Sequence, residues 1–272
     1  MKKIRLLSHP FILIGFTLVI LMIFMAILAP FSLSPSAQDL TIRLKTPGID
    51  GHLLGTDHFG RDILSRLLWG ARVSLKVGIV ASIISLVIGV ILGMISGYVG
   101  GKTDSVIMRL TDIMMGFPAL LFLIAISAAL KPGITTAMMA IGAVSWPGIA
   151  RLTRSQVLTV MTREYILAGK VMGYSHFRIV LNHIFPNTMA PVIVAFSLGI
   201  SGAIMAEASL SFLGLGVQPP DTSWGAMINE GKDFLRVAPW GSILPGLAIA
   251  LSVLGFNLLG EGLRDVMDVK SD

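Results

Sequence analysis

Six stretches of this chain carry no charged residue and are mostly apolar: residues 11–30, 77–95, 113–130, 134–150, 188–206 and 243–260. A helix needs about 20 apolar residues to cross a bilayer, so the pattern predicts an all-α, polytopic membrane protein with six transmembrane helices. The fourth stretch is the shortest and is interrupted by Pro147, and the third contains Pro118.

Between the fourth and fifth stretches lies a polar island, EYILAGKVMGYSHFRIVLNHIFPN, residues 164–187. Its apolar and small residues recur with helical spacing. Tyr165, Ala168, Gly169 and Met172 fall at i, i+3, i+4 and i+7, and Phe177, Val180, Leu181 and Ile184 repeat that pattern. Gly173 is suited to ending the first helix, Ser175 to capping the second and Pro186 to stopping it. The island is thus expected to form two short amphipathic helices, with a narrow face of small residues on the first. Such a face buries little area alone and suits a groove on another protein. Helices that rest on lipid head groups usually present bulky residues instead.

Composition sharpens this picture. Only 13% of residues are charged and 54% are hydrophobic, against about 25% charged in soluble domains. The net charge of +6 is spread between apolar runs, which reports membrane topology and not nucleic-acid binding. Lys2, Lys3 and Arg5 precede the first run without an acid, and Arg151, Arg154, Arg163, Lys170 and Arg178 face only Glu164 in residues 151–187. Both segments, and with six spans both termini, belong in the cytoplasm. The 31–73 loop, with five basic and four acidic residues, falls outside. The first run is longer than a signal h-region of about 7–15 residues and reads as an uncleaved anchor.

Gly89, Gly93 and Gly97 recur at four-residue spacing in the second run. They fit either close helix approach or the general glycine content of membrane helices. There is no cysteine, which removes disulfides and thiolate chemistry.

Several motifs fall short of chemistry. SGYVGGKT, residues 96–103, lacks the first glycine of a phosphate-binding loop and ends a membrane helix instead of following a strand. No ATPase is therefore visible, and no nucleotide, metal or other cofactor is expected on this chain. The five histidines have no metal-ligand spacing, and His52 and His58 read as a solvated loop pair. No catalytic set stands out, so the chain does not read as an enzyme. Glu207, just past the fifth run, and Asn257, inside the sixth, are polar candidates for either the transport route or structural hydrogen bonding.

The island resembles the EAA loop of ABC-importer permease subunits, with the triplet on Leu167-Ala168-Gly169 and the loop glycine on Gly173. Leu167 replaces the acidic residue of the pattern and Gly169 the second alanine. LGTDHFGRDILSRLLWGARVSL, SFLGLGVQPPDTSWGAMINEG and GFNLLGEGLRDVMD are similar to the dipeptide/oligopeptide/nickel permease group. That resemblance implies a MetI-like core with a first part at 1–72, five helices at 73–262 including the 151–187 loop, and a tail at 263–272. It also implies a pore shared with a homologous permease subunit, two ATP-binding subunits that use ATP and Mg, and an extracytoplasmic solute-binding protein. The solute would be a di- or oligopeptide, or alternatively nickel or a metallophore. Glu164, Tyr165, Ala168, Gly169, Met172 and Gly173 would couple to the ATPase.

The residues also admit an ion-coupled secondary transporter, which would want paired charges at mid-membrane. In the outer segments, Ile63, Leu64, Leu67, Leu68 and Ala71 form an apolar stripe with Asp62, Arg66 and Arg72 mostly opposite. This is expected to be an amphipathic helix leading into the second span. Trp69 and Trp224 suit the membrane interface.

Overall fold

The computed structural model describes residues 10–49 and 51–268. Lys2, Lys3 and Arg5, and the end of the expected tail, lie outside the described residues. Ten α-helices are named here: α1 (Pro10–Leu28), α2 (Ile63–Val99), α3 (Gly101–Gly116), α4 (Ala119–Ala129), α5 (Ile134–Met161), α6 (Glu164–Val171), α7 (His176–Ile179), α8 (Phe185–Phe212), α9 (Trp224–Gly231) and α10 (Trp240–Asp268). The described residues contain only two isolated β-bridges, in the 49–62 loop.

Four helices are long and apolar enough to cross a membrane, and the bent pair α3–α4 makes a fifth if it counts as one span. The pair turns by 88° at Phe117-Pro118, where proline denies the preceding residue the helical region. The expected third span, 113–130, therefore begins in one helix and ends in another. The expected fourth span lies in α5, which at 28 residues is long enough but less apolar than the others.

The expected outer helix and second span are a single 37-residue helix, α2, capped by Asp62, which accepts from the Ser65 amide at 2.7 Å. At 1.5 Å per residue it is about 55 Å long, so its first turns extend beyond the hydrocarbon. No structural boundary falls at residue 72, and α10 likewise runs through residue 262.

The glycine repeat has a packing cause. A Cβ at Gly93 would lie 2.5 Å from the Ala150 carbonyl, one at Gly97 2.8 Å from Val157, and one at Gly89 2.7 Å from Ile149. Gly142 on α5 answers in kind against Ile84. The α2–α5 crossing thus brings backbone against side chain, which any larger residue would force apart.

Three apolar clusters tie the bundle together. One joins α1, α2, α8, α9 and α10 around Met22, Leu67, Ile204, Trp224 and Phe256. A second joins α2, α4, α5 and α8 around Val77, Leu123, Ile141 and Leu210. The third, Met94, Val157, Ile166, Ile179 and Ile184, seats the polar island on α2 and α5. Trp224 is fully buried, not at the interface. Its indole donates to the Leu67 carbonyl at 3.1 Å while Gly70 makes room for the ring.

Candidate functional site: the polar island and its buried ties

Helix α6 begins at Glu164, an acid in the first turn, and carries Lys170 in the last, both matched to the helix dipole. It ends in a Schellman motif: the Tyr174 amide donates to the Gly169 carbonyl at 3.0 Å and the Gly173 amide to Lys170 at 3.1 Å. Gly173 has φ +75°, the left-handed conformation that favours glycine. Ser175 caps α7 by accepting from the Arg178 amide.

The second half of the island differs from its expected form. Beyond the four-residue α7, the chain makes a π-turn, Val180–Ile184, and runs straight into α8. Pro186 does not stop a helix. It follows the π-turn and lies in the first turn of α8.

The exposed face of α6 is rotated from the spacing's prediction. Tyr165, Ala168 and Met172 are exposed, but Gly169 is buried with Ile166, because Tyr174 folds back across it. A Cβ at Gly169 would lie 3.3 Å from the Tyr174 ring. Leu167 and Val171 take its place on the outside, Val171 at 89% exposure and Met172 at 62%. Phe177 and Leu181 extend this apolar surface.

Behind that surface the side chains form a brace. The Arg178 guanidinium sits 4.2 Å over the Tyr174 ring, and Tyr174 lies nearly parallel to His183, their centroids 6.1 Å apart. Tyr98 at the end of α2 shares a 2.6 Å hydrogen bond with His176. Asp104 of α3 grips Arg154 of α5 with two bonds, at 2.5 and 2.6 Å, and accepts from Ser96. The 96–103 stretch is thus a helix end, a turn at Gly100 and a helix start.

Glu207 is completely buried on α8. Its carboxylate accepts from Ser74 at 3.0 Å and Ser211 at 2.7 Å. Those hydroxyls in turn accept the Trp224 and Val217 amides. The acid therefore anchors both ends of the segment between α8 and α9. Gly216 and Gly225 allow that segment its close approach to α8. Asn257 accepts from Ser201 at 2.6 Å and links α10 to α8.

The apolar stripe along α2 does not single out the ion cluster at its N-terminal end. Arg66, expected on the solvent side, is 3% exposed. It bonds Asp57 at 2.5 Å, Glu230 at 2.8 Å and Thr222 at 3.1 Å. Arg61 bonds the same two carboxylates. The cluster clamps the loop before α2 to α9, 164 residues away between Arg66 and Glu230. The signal for it in the sequence is the near balance of acids and bases in the 31–73 loop.

Burial works against the charge on Asp57, but Arg66 and Arg61 outweigh it and hold the carboxyl below its ordinary value. His58 is held below its ordinary value by burial first, with Arg61 adding to the effect and Asp57 opposing it. It stacks on Phe234, and His52 bonds Asp62 at 2.8 Å. The two histidines are half-buried and partnered, not a solvated pair. No group of three or more His, Asp or Glu able to hold a metal occurs among the described residues.

Comparison with known proteins places this geometry. Residues 89–270 match the family model "Binding-protein-dependent transport system inner membrane component", and residues 3–47 match "N-terminal TM domain of oligopeptide transport permease C". The chain is 42% identical over 260 residues to a dipeptide transport system permease protein DppC of Alkalihalophilus pseudofirmus, covering 95% of this chain and 85% of that one. It is 44% identical over 263 residues to a di/tripeptide transport system permease protein DppC of Pseudomonas aeruginosa, covering 94% and 87%. An inward-facing structure of the MetNI methionine ABC transporter shares the fold, with a TM-score of 0.61 at 18% identity over 75% of this chain and 95% of that one. The chain belongs to the family of binding-protein-dependent transport system inner membrane components.

Proposed function

We propose that this chain is one of two pore-forming permease subunits of an ATP-driven importer that carries di- or oligopeptides across the cytoplasmic membrane. The observation that carries the reading is identity of 40–44% across nearly the whole chain with peptide-transport permeases. The nickel or metallophore alternative draws no comparable support from the described residues, whose soft or imidazole ligands are scattered or already partnered. An ion-coupled secondary transporter would place paired charges at mid-membrane. Here the buried ionic cluster is at the outer end of α2 instead.

In this reading two ATP-binding subunits use ATP and Mg, and this chain contributes no catalytic group. The N and C termini and the 151–187 loop face the cytoplasm. Helix α6 docks into an ATP-binding subunit through Tyr165, Leu167, Ala168, Val171 and Met172, with Glu164 at the rim. Gly169 and Gly173 shape the loop from behind. Leu167 offers apolar contact where the family pattern offers an acid, so this docking does not use a salt bridge at that position. Glu207 and Asn257 act as structural ties.

ATP binding draws the two docking loops together and the bundle turns from inward-open to outward-open. That work comes from a difference in the ATPase's affinity for the two states. A solute-binding protein delivers peptide to the outer face, where the ion cluster and the Glu207 anchor hold the gate segments.

The test is reconstitution with the partner subunits in liposomes. ATP-dependent accumulation of a labelled dipeptide, requiring the binding protein, is expected. Uptake by this chain alone, without any ATPase, would overturn the reading.

A further inference from the structure

Three serines, near the middle of two uncharged runs, line one cavity. Ser82 and Ser85 lie on α2 close to the centre of the uncharged 77–95 run, and Ser145 lies on α5 beside Pro147. With Ile149, Phe196 and Gly199 they line a cavity of about 250 Å³ between α2, α5 and α8. Ser82 is 5% exposed and its Oγ is buried with no hydrogen bond. Ser85 and Ser145 line the same space, and their hydroxyls make no hydrogen bond among the described residues.

Several other span hydroxyls are satisfied: Ser74 by Glu207, Ser201 by Asn257, Ser209 by the Met205 carbonyl. Ser127, Thr153 and Ser252 are also unpartnered but lie outside the cavity. In hydrocarbon an unmet polar group is costly, and around this cavity such hydroxyls face open space that a ligand could fill.

The glycines point the same way. At Gly89, Gly93, Gly97 and Gly142 a Cβ would strike a neighbouring helix, whereas at Gly148 and Gly199 it would meet nothing within 4 Å. Those two are therefore not required by packing, and their smallness leaves space. Ser145, Gly148 and Gly199 are exposed, so the cavity opens at the surface of the chain.

No Asp, Glu, Lys or Arg lines the cavity, so a charged group entering it would go unpaired. Hydroxyls that both donate and accept, set in an apolar wall, suit an uncharged amide with a small side chain. We propose that this cavity is a transit subsite that holds the peptide-bond amide of the passing solute. The proposal rests on the importer reading above.

The experiment uses the complete transporter in proteoliposomes and radiolabelled dialanine as probe, with the N-methylated dipeptide as a comparison. The double variant Ser85→Ala/Ser145→Ala is expected to raise the KM for dialanine about tenfold, the size of one to two net hydrogen bonds, with the maximal rate little changed. The N-methylated dipeptide, which lacks the amide N–H, should show a smaller rise. Gly199→Leu, filling the cavity, should lower uptake at sub-saturating dialanine at least as much.

Copurification of the partner subunits checks assembly. If Gly199→Leu fails that check, the serine double variant decides alone. A dialanine KM within twofold of wild type in the serine variant overturns the subsite. Absence of ATP-dependent dialanine uptake by the wild type would instead overturn the importer reading beneath it.

Discussion

At the scale of single residues, the two acidic side chains buried among the described residues, Asp57 and Glu207, do different work. Asp57 is held ionised by Arg61 and Arg66, and its carboxyl is depressed below the ordinary 3.8. A depressed acid contributes stability that is fully present above its unfolded value and is lost as pH falls through the lower folded one. This ion-pair clamp is therefore intact at neutral pH and weakens below about pH 4. Thermal unfolding in detergent should show this loss in the wild type and a flatter acid limb in Asp57→Asn. At pH 7 the variant should be about 3–5 kcal/mol less stable, since Arg66 stays buried with a partner gone.

Glu207 has no cation and serves as an acceptor. Glu207→Gln, which keeps an acceptor oxygen, should be tolerated better than Glu207→Leu. The latter strands both serine hydroxyls and should cost about 2–3 kcal/mol in the same measurement. Gly173 shows which residue features a sequence can reveal. A glycine before a serine cap already points to a left-handed turn, and φ +75° is what the backbone adopts.

At the scale of elements, the crossing of α2 and α5 depends on glycine. Gly93→Leu would push a side chain against the Ala150 carbonyl, and overpacking of this kind costs about 1–3 kcal/mol. Reduced thermal stability of the purified chain, with no comparable loss for Gly148→Leu, is the expected result.

On α6 the periodicity located a helix and its end, yet it put Gly169 on the wrong side. Four positions at helical spacing define a face, but which face turns inward depends on what folds over it. Tyr174 does so here, from beyond the turn. Ala168→Trp, on the outside, should leave insertion and ATPase docking measurable while cutting the transport achieved per ATP hydrolysed by at least about tenfold. Equal loss of expression and transport would instead mark the loop as structural only. The π-turn after α7 carried no sequence signal of its own, and Pro186 pointed to a helix end because a proline is equally compatible with a first turn.

At the scale of the whole molecule, topology is directly testable because the chain has no cysteine. A single cysteine at Leu53, 70% exposed in the outer loop, should react with a membrane-impermeant maleimide from outside intact cells. One at Val171, 89% exposed on α6, should react only after permeabilisation. Reaction of both from the same side would invalidate the orientation.

The amino-acid sequence by itself determined that the chain is helical and lives in a membrane, where most of its runs lie and which polar island interrupts them. Those features follow from local composition and period, which every window of the chain carries. Long-range pairing was decided only by the tertiary structure. It buried Arg66 and Asp57 against Glu230, turned Gly169 inward, merged two expected helices into α2 and bent α3 against α4. It also gathered three serines from two helices around one cavity. The Arg66–Glu230 pairing and the serine cavity depend on surfaces that meet across tens to hundreds of residues, which no local period encodes. The bend at Pro118 and the Tyr174 cover of Gly169 are nearer in sequence, but their direction is set by what packs against them.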